Sequence, residues 1–515
     1  MSTPTSTPTA GPPTGMAQHV ARLRAFVRSP DGRPALLGCL GALLITAGGL
    51  GAGSTRLNDP LLESIHLSWL RFGHGLVFSS VTLWVGVALM LAAWIWLGRF
   101  VIGGNATEYG MIASTGFWLA PLLTSVPVFS RDAYSYLAQG ALLRDGLDPY
   151  AVGPVENPNA LLENVSPIWT ITTAPYGPAF MLVAKFITQL VGDDVIAGTM
   201  LFRLCMLPGL VLLIWAAPRI ARHIGANGAA ALWICVLNPL VIIHLMGGVH
   251  NEMLMVGLMM AGIALTLERH PVAGVSVVVV GIAVKATAGL ALPFLGWVWL
   301  RQLQQRAMRP VRAFMTVAAG LLLIFVAVFA VLSGLAGVGL GWLTALAGSV
   351  KIINWLTIPT ATANLVNAVG GVFFPVNFYA VLEVTRIVGI VLIAIALPAL
   401  WWRFRHNDRE ALIGIAAVMV VVVLFVPAAL PWYYAWPLAV LSAFAQSRNA
   451  VAAIAAFSTW IMVIFKPDGS HGMYSWLHAL IATACAVAAW YTLYRTPAPP
   501  RTAAPNDAAE PVSSS

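Results

Sequence analysis

An all-α polytopic membrane protein is the fold class this sequence predicts, on three observations. Of its 515 residues, 59% are hydrophobic and only 9% are charged, against about 25% charged in an ordinary soluble protein. The apolar residues come in long runs, and about 20 in a row is what one helix needs to cross a bilayer. The runs lack the turn signals that would separate membrane β-barrel strands of about 10 residues. This composition excludes a soluble globular protein, whose apolar surface could not be covered. It also excludes a disordered chain, which goes with low hydrophobicity and high charge.

The elements follow in chain order. Residues 1–34 open on a Ser-, Thr-, Pro- and Gly-rich stretch without an apolar run, and are expected to be a disordered cytoplasmic tail. They lack the form of a cleaved signal peptide, so the first apolar run is expected to stay in the membrane. Residues 35–495 read as one transmembrane domain with spans near 35–52, 74–98, 107–127, 195–218, 227–246, 251–268, 271–285, 286–301, 311–335, 378–402, 411–428, 432–446, 450–465 and 474–494. That makes about fourteen transmembrane helices, plus or minus two. Residues 496–515, with five prolines, are expected to be a second disordered cytoplasmic tail.

Orientation follows from the basic residues. With the N-terminus in the cytoplasm, eighteen arginines fall inside, among them Arg22, Arg24, Arg28, Arg219, Arg222, Arg306, Arg309, Arg403 and Arg405. Only eight basic residues fall outside, and all four lysines are among them. This is the positive-inside bias, and it accounts for the net charge of +9 without nucleic acid as a partner. Residues 178–191 are apolar but number only fourteen. If they crossed, Arg219 and Arg222 would be placed outside, so the segment is expected to be re-entrant or interfacial.

Most connections are short, and the outer loops 128–194 and 336–377 are the exceptions. Loops that long usually carry function. Eleven of the nineteen acidic residues lie outside, and no soluble segment is large enough for a core of its own. Chemistry is therefore expected at the outer membrane face, on loops and helix ends. The four cysteines sit in apolar runs without metal-ligand spacing and read as core residues.

The first long loop begins Ser130-Arg131-Asp132-Ala133-Tyr134-Ser135-Tyr136-Leu137. Residues 131–145 read as a helix, with Ser130 as N-cap and Gly146 at the C-terminal end. Tyr134, Leu137, Ala138, Ala141 and Leu142 make an apolar stripe at helical spacing, and Asp132, Ser135 and Gln139 lie opposite. An amphipathic helix on the membrane surface, polar face to water, is the expectation. Asp132 falls in the first turn, where the helix dipole favours a carboxylate. It could serve as a general base on a sugar hydroxyl or only stabilise the helix start. The loop's Tyr150, Trp169 and Tyr176 suit sugar stacking as well as the membrane interface.

Other polar clusters fall on the same side. His250-Asn251-Glu252 follows Gly247-Gly248 at a helix start, where it could bind an anion or hydroxyls or simply sit at the interface. Lys285 lies between two apolar runs near the outer face. It could hold a lipid-linked phosphate or snorkel. Lys351 to Trp355, the aromatic run Trp432 to Trp436, and Lys466 to His471 could each line a pocket or be ordinary loop. No Walker motif and no Gly-rich strand-turn-helix is present. Nucleotide donors are therefore not expected, and an outer-face site favours an activated lipid. A transporter or flippase of a polyprenyl-linked sugar is the alternative reading. It calls for repeated halves with paired broken helices, which the sequence does not show.

The run Ser130 to Gly140, with Asp148-Pro149-Tyr150, resembles the actinobacterial polyprenol-phosphate-mannose-dependent α-1,6-mannosyltransferases of the MptA and MptB type, within the GT-C superfamily. Asn58 to His66 and Gly247 to Met253, and the overall length, are more similar to the MptA branch. The resemblance covers roughly residues 35–490. It implies a GT-C fold with the helix of the first long periplasmic loop at the site. The donor it implies is mannosyl-1-phosphoryl-polyprenol, and the acceptor a growing α-1,6-mannan on phosphatidylinositol mannoside, leading to lipomannan and lipoarabinomannan. A β-linked donor and an α-linked product imply inversion. The active site would face the periplasm across the inner (plasma) membrane. Asp132 matches the GT-C catalytic aspartate. Lys285, with His250 or Arg131, would hold the leaving phosphate. Tyr136, Asn251, Glu252, Trp169, Tyr176, Lys351 and Trp355 would bind substrate. No cofactor is required, and a divalent metal is optional.

Overall fold

The computed structural model describes residues 15–346, 352–445 and 447–497. Lys351 lies outside the described residues, as do residues 1–14 and 498–515 of the two expected tails. Helices of seven residues or more are numbered α1 (Gly15–Arg28), α2 (Gly32–Ala52), α3 (Gly73–Ile102), α4 (Glu108–Leu122), α5 (Asp132–Arg144), α6 (Pro178–Val191), α7 (Val195–His223), α8 (Gly228–Cys235), α9 (Glu252–Leu267), α10 (Pro271–Val284), α11 (Leu292–Gln305), α12 (Pro310–Ala336), α13 (Ile358–Gly370), α14 (Phe378–Arg403), α15 (Asp408–Phe425), α16 (Ala435–Leu441), α17 (Arg448–Ile464) and α18 (Trp476–Tyr494). The described residues form no strand beyond one isolated antiparallel bridge, Phe465 to His471. The all-α membrane architecture is as expected. The N-terminal expectation is corrected in part, because residues 15–28 are helical.

Six helices are long and apolar enough to cross a membrane: α2, α3, α7, α12, α14 and α18. A bent pair, Gly228–Cys235 and Pro239–Gly247 at 43°, makes up to seven. Several expected spans are interrupted. The expected boundary between the runs 271–285 and 286–301 falls at Lys285, which is extended (φ −151°), and the second run begins as a 3-10 turn, Ala286–Ala291, before α11. The run 432–446 begins as a 3-10 turn, Pro431–Tyr434. In α9, 13 of the 16 residues are buried, so it is a core helix, apolar all round.

Close helix approach depends on small residues, as in other membrane bundles. A Cβ on Gly257 of α9 would come within 2.0 Å of the Gly209 carbonyl oxygen of α7. Trp94 of α3 and Trp233 of α8 stack at 4.5 Å, and each indole N–H donates to the other residue's carbonyl.

The two ends of the bundle differ. Helix α7 has 29 residues, about 44 Å at 1.5 Å per residue. At its C-terminal end, arginines and acids pair: Arg222 with Glu108, Arg219 with Glu268 at 3.5 Å, and Arg301 with Asp408 at 2.7 Å. The opposite end carries the first long loop. There α5 is buried from Ala133 to Leu143, packed against α6 and α7. The expected surface helix with its polar face to bulk water is corrected: Ser135 and Gln139 line a small cavity, and the rest of the helix is buried against its neighbours.

Candidate active site

The segment Val128 to Arg131 is fixed from several sides. The Phe129 N–H donates to the Pro467 carbonyl at 2.7 Å, and the Val128 N–H to that of Gly247 at 3.3 Å. Phe129 is in the left-handed region, with φ 66°, and the chain turns there into α5. The Ser130 hydroxyl oxygen accepts from the Asp132 N–H at 3.1 Å. The Tyr134 hydroxyl donates to the Ser54 carbonyl at 2.6 Å, locking α5 to the preceding outer loop.

A second turn meets Asp132 from the other side. Ile242–Gly247 is a π-helical segment, a form that is frequent at functional sites. Buried Arg203 spreads its guanidinium over three carbonyls: Met246 at 3.0 Å, Gly247 at 3.3 Å and Leu123 at 2.8 Å. The chain then turns through Val249 (φ 60°) and presents His250, Asn251 and Glu252, all fully buried. The third contributor is the break after α10, which carries Lys285. A Cβ on Gly177 would come within 2.3 Å of the Ala283 carbonyl oxygen, so glycine lets the Tyr176 loop lie directly on this break.

These residues converge. His250 Nδ1 is 3.5 Å from Asp132 Oδ2 and 4.0 Å from Glu252 Oε2. The imidazole stacks on Trp432 at 3.7 Å. Lys285 forms an ion pair with Glu252. Its ammonium also lies over the rings of Tyr433 (4.7 Å), Trp436 (5.6 Å) and Tyr176 (5.8 Å), an arrangement that attracts a cation.

The electrostatics follow from burial. Burial, and next the nearby Glu252 charge, push the Asp132 carboxyl up to about 7, with Lys285 and Ser130 pulling the other way. Burial holds His250 well below the usual histidine value, and His244 and Lys285 add to it. Burial thus favours the neutral form of the imidazole that faces Asp132. A carboxyl poised near neutrality has the value a general base needs.

Two cavities meet at this point. The outer one, of about 310 Å³, is lined by Asp132, Trp169, Trp432, Asp468, Ser470 and His471, among others. It has the size of a small ligand pocket. The inner one, of about 50 Å³, is lined by Asp132, Ser135, Gln139, Tyr176, Lys285 and Tyr433. It has room for one or two water-sized groups. Asp132, Trp169, Ile352, Leu430 and Trp432 border both.

Of the residues expected at the site, Asp132, His250, Glu252, Lys285, Trp169 and Tyr176 are brought together. Tyr136 is buried behind Tyr176, the rings edge-on at 5.4 Å. The Asn251 amide has no hydrogen-bond partner in the structure. Arg131 reaches the outer cavity, but its guanidinium donates to the Thr55 and Asn164 carbonyls. Trp355 donates to the Met473 carbonyl at 3.2 Å, packs on Trp460 and borders neither cavity. Trp432 and Tyr433 complete the site from the aromatic run, whose pocket-lining role the sequence left open. Ser135 and Gln139 come from the polar face of α5. Nothing in the spacing singled out Thr172 or Thr173, while Ile352 comes from the stretch Lys351 to Trp355 that the sequence offered as a pocket lining. Among the described residues no group of three His, Cys, Asp or Glu side chains is arranged as a metal site.

The family model described as "Alpha-(1->6)-mannopyranosyltransferase, N-terminal domain" matches residues 35–301, and the MptB C-terminal domain matches 359–495. The chain belongs to the alpha-(1->6)-mannopyranosyltransferase family. It is 70% identical over 501 residues to alpha-(1->6)-mannopyranosyltransferase A of Mycobacterium tuberculosis, covering 96% of this chain and 97% of that one. It is 36% identical over 467 residues to the A protein of Corynebacterium glutamicum, with 87% and 95% covered. Against the B protein of that organism it is 30% identical over 463 residues, with 84% and 76% covered. No solved structure matches significantly. The resemblance to the MptA branch holds. The protein is a membrane-embedded enzyme of the mannosyltransferase kind, which sets aside the transporter reading. The cavities span both matched regions of the mannosyltransferase: Asp132, Tyr176 and Lys285 lie in the first, Trp432, Tyr433 and Asp468 in the second.

Proposed function

We propose that the enzyme transfers mannose from polyprenyl-phosphate mannose to the 6-hydroxyl of a growing α-1,6-mannan on phosphatidylinositol mannoside, the backbone of lipomannan and lipoarabinomannan. The reaction takes place at the periplasmic face of the plasma membrane and inverts the anomeric centre. The observation that carries this reading is the meeting of the two cavities at Asp132, with Lys285 in the inner one.

Asp132 accepts the proton of the acceptor 6-hydroxyl. That oxygen forms its bond to the mannosyl C1 as the bond from C1 to the phosphate oxygen breaks in line behind it. The electron pair leaves with polyprenyl phosphate, and no covalent enzyme intermediate forms. Lys285 has three N–H donors, and Glu252 occupies one. The others are free to stabilise the developing phosphate charge in a water-poor site. His250 holds the Asp132 side of the site rather than the phosphate. Trp169 and Tyr176 supply faces for the sugar rings, and Arg131 braces the loop. This chemistry needs no cofactor.

The test is Asp132→Asn in membranes supplied with labelled polyprenyl-phosphate mannose and an α-1,6-mannoside acceptor. Product formation should fall about 10²- to 10⁴-fold, the range for loss of a general base. A folded variant with wild-type rate would remove Asp132 from this role.

A further inference from the structure

We infer that the turn Phe465–His471 is the acceptor-binding wall of the site, with the Asp468 carboxylate hydrogen-bonding hydroxyls of a neutral hexose chain; this rests on the mannosyl-transfer reading above. Three observations lead to it.

First, the turn is built to hold a shape. The Lys466 N–H donates to the Ser470 carbonyl at 2.8 Å and the Gly469 N–H to that of Lys466 at 3.0 Å. Phe465 and His471 pair as a bridge across it. Asp468 Oδ1 accepts from both the N–H (2.9 Å) and the hydroxyl (2.7 Å) of Ser470.

Second, the turn is fixed to the catalytic loop. The Pro467 carbonyl receives the Phe129 N–H, three residues before Asp132. Gly469 sits at φ 94°, and a Cβ there would lie 3.6 Å from Ser130 Cα. The turn and Asp132 therefore keep a set spacing, as a subsite next to a reacting centre must.

Third, the turn's polar atoms line the outer cavity and not the inner one. Asp468, Ser470 and His471 share the outer cavity with Asp132, Trp169 and Trp432, while Lys285 borders only the inner one. A phosphate belongs with Lys285. A carboxylate repels phosphate and accepts hydrogen bonds from sugar hydroxyls, so the side carrying Asp468 belongs to the uncharged glycan. The indole faces give such a ring an apolar floor.

The experiment uses the full-length enzyme in membranes and separates acceptor KM, donor KM and kcat. One hydrogen bond to a charged group is worth a factor of about ten or more. Asp468→Ala should therefore raise the α-1,6-mannoside KM about tenfold or more, with donor KM within about twofold. Asp468→Asn keeps an oxygen for Ser470 and so keeps the turn; it should give an intermediate acceptor KM. An acceptor KM unmoved in both variants, a rise in donor KM instead, or loss of all turnover in Asp468→Asn would each overturn the assignment. A wild-type enzyme that moves no mannose to any acceptor would instead sink the reading beneath it.

Discussion

Asp132 works under an electrostatic conflict. Its position at the start of a helix favours the charge, and burial beside Glu252 opposes it and prevails. A base with a raised pKa is ready only above that value. Turnover should therefore be flat above about pH 7 and fall about tenfold per unit below it. Glu252→Gln tests the cause. It removes the negative charge that raises Asp132 and frees Lys285 to lower it, so both changes act in one direction. The acid limb of the pH–rate profile should move to lower pH. The same change leaves the buried Lys285 ammonium without its carboxylate, so thermal stability in detergent should drop, by about 3–5 kcal/mol for a broken buried pair. An unmoved acid limb would mean that another group titrates. At this scale the sequence was informative where a motif carried the residue, as with Asp132, His250 and Lys285. It could not show that the Arg131 guanidinium would be occupied by backbone carbonyls, or that Trp355 would turn away from the cavities, because both depend on contacts distant in the chain.

Elements explain why the site is rigid. Helix α5 was legible: the expected 131–145 compares with Asp132–Arg144 observed, and Gly146 ends it at φ 85°. Segment 178–191, expected to be re-entrant or interfacial, is a helix of 14 residues, about 21 Å long by rise per residue. Hydropathy placed boundaries at Lys285 and just before His250, but it could not show the backbone there, extended at Lys285 and π-helical over Ile242–Gly247, and those two irregular places supply the functional groups. The partners of Arg203 are backbone carbonyls, which no side-chain pattern records. Replacing it with methionine would take the side-chain donor from the Leu123 and Met246 carbonyls, leave that of Gly247 with the Val128 N–H alone, and loosen the turn that holds His250. Arg203→Met should lower stability by about 2–4 kcal/mol and reduce kcat more than either KM. A thermal-shift series with steady-state kinetics checks both, and an unchanged kcat would show that the turn holds without its clamp.

For the whole molecule, the sparse charge divides the bundle. Arginines paired with acids gather at the end of α7 that carries His223, and Asp132, Glu252 and Lys285 gather at the other end. The positive-inside bias supports the proposed outer-face site, where a soluble cytoplasmic donor would not reach it and a lipid-borne one would. This placement can be tested directly. In a variant with its four cysteines removed, a single cysteine at exposed Glu156, in the long loop of the site, should react with a membrane-impermeant maleimide on intact cells. A single cysteine at exposed Gln304, near the paired arginines, should react only after permeabilisation. The reverse pattern would put the site in the cytoplasm. A lipid-borne donor would then no longer be required, although the geometry around Asp132 would stand.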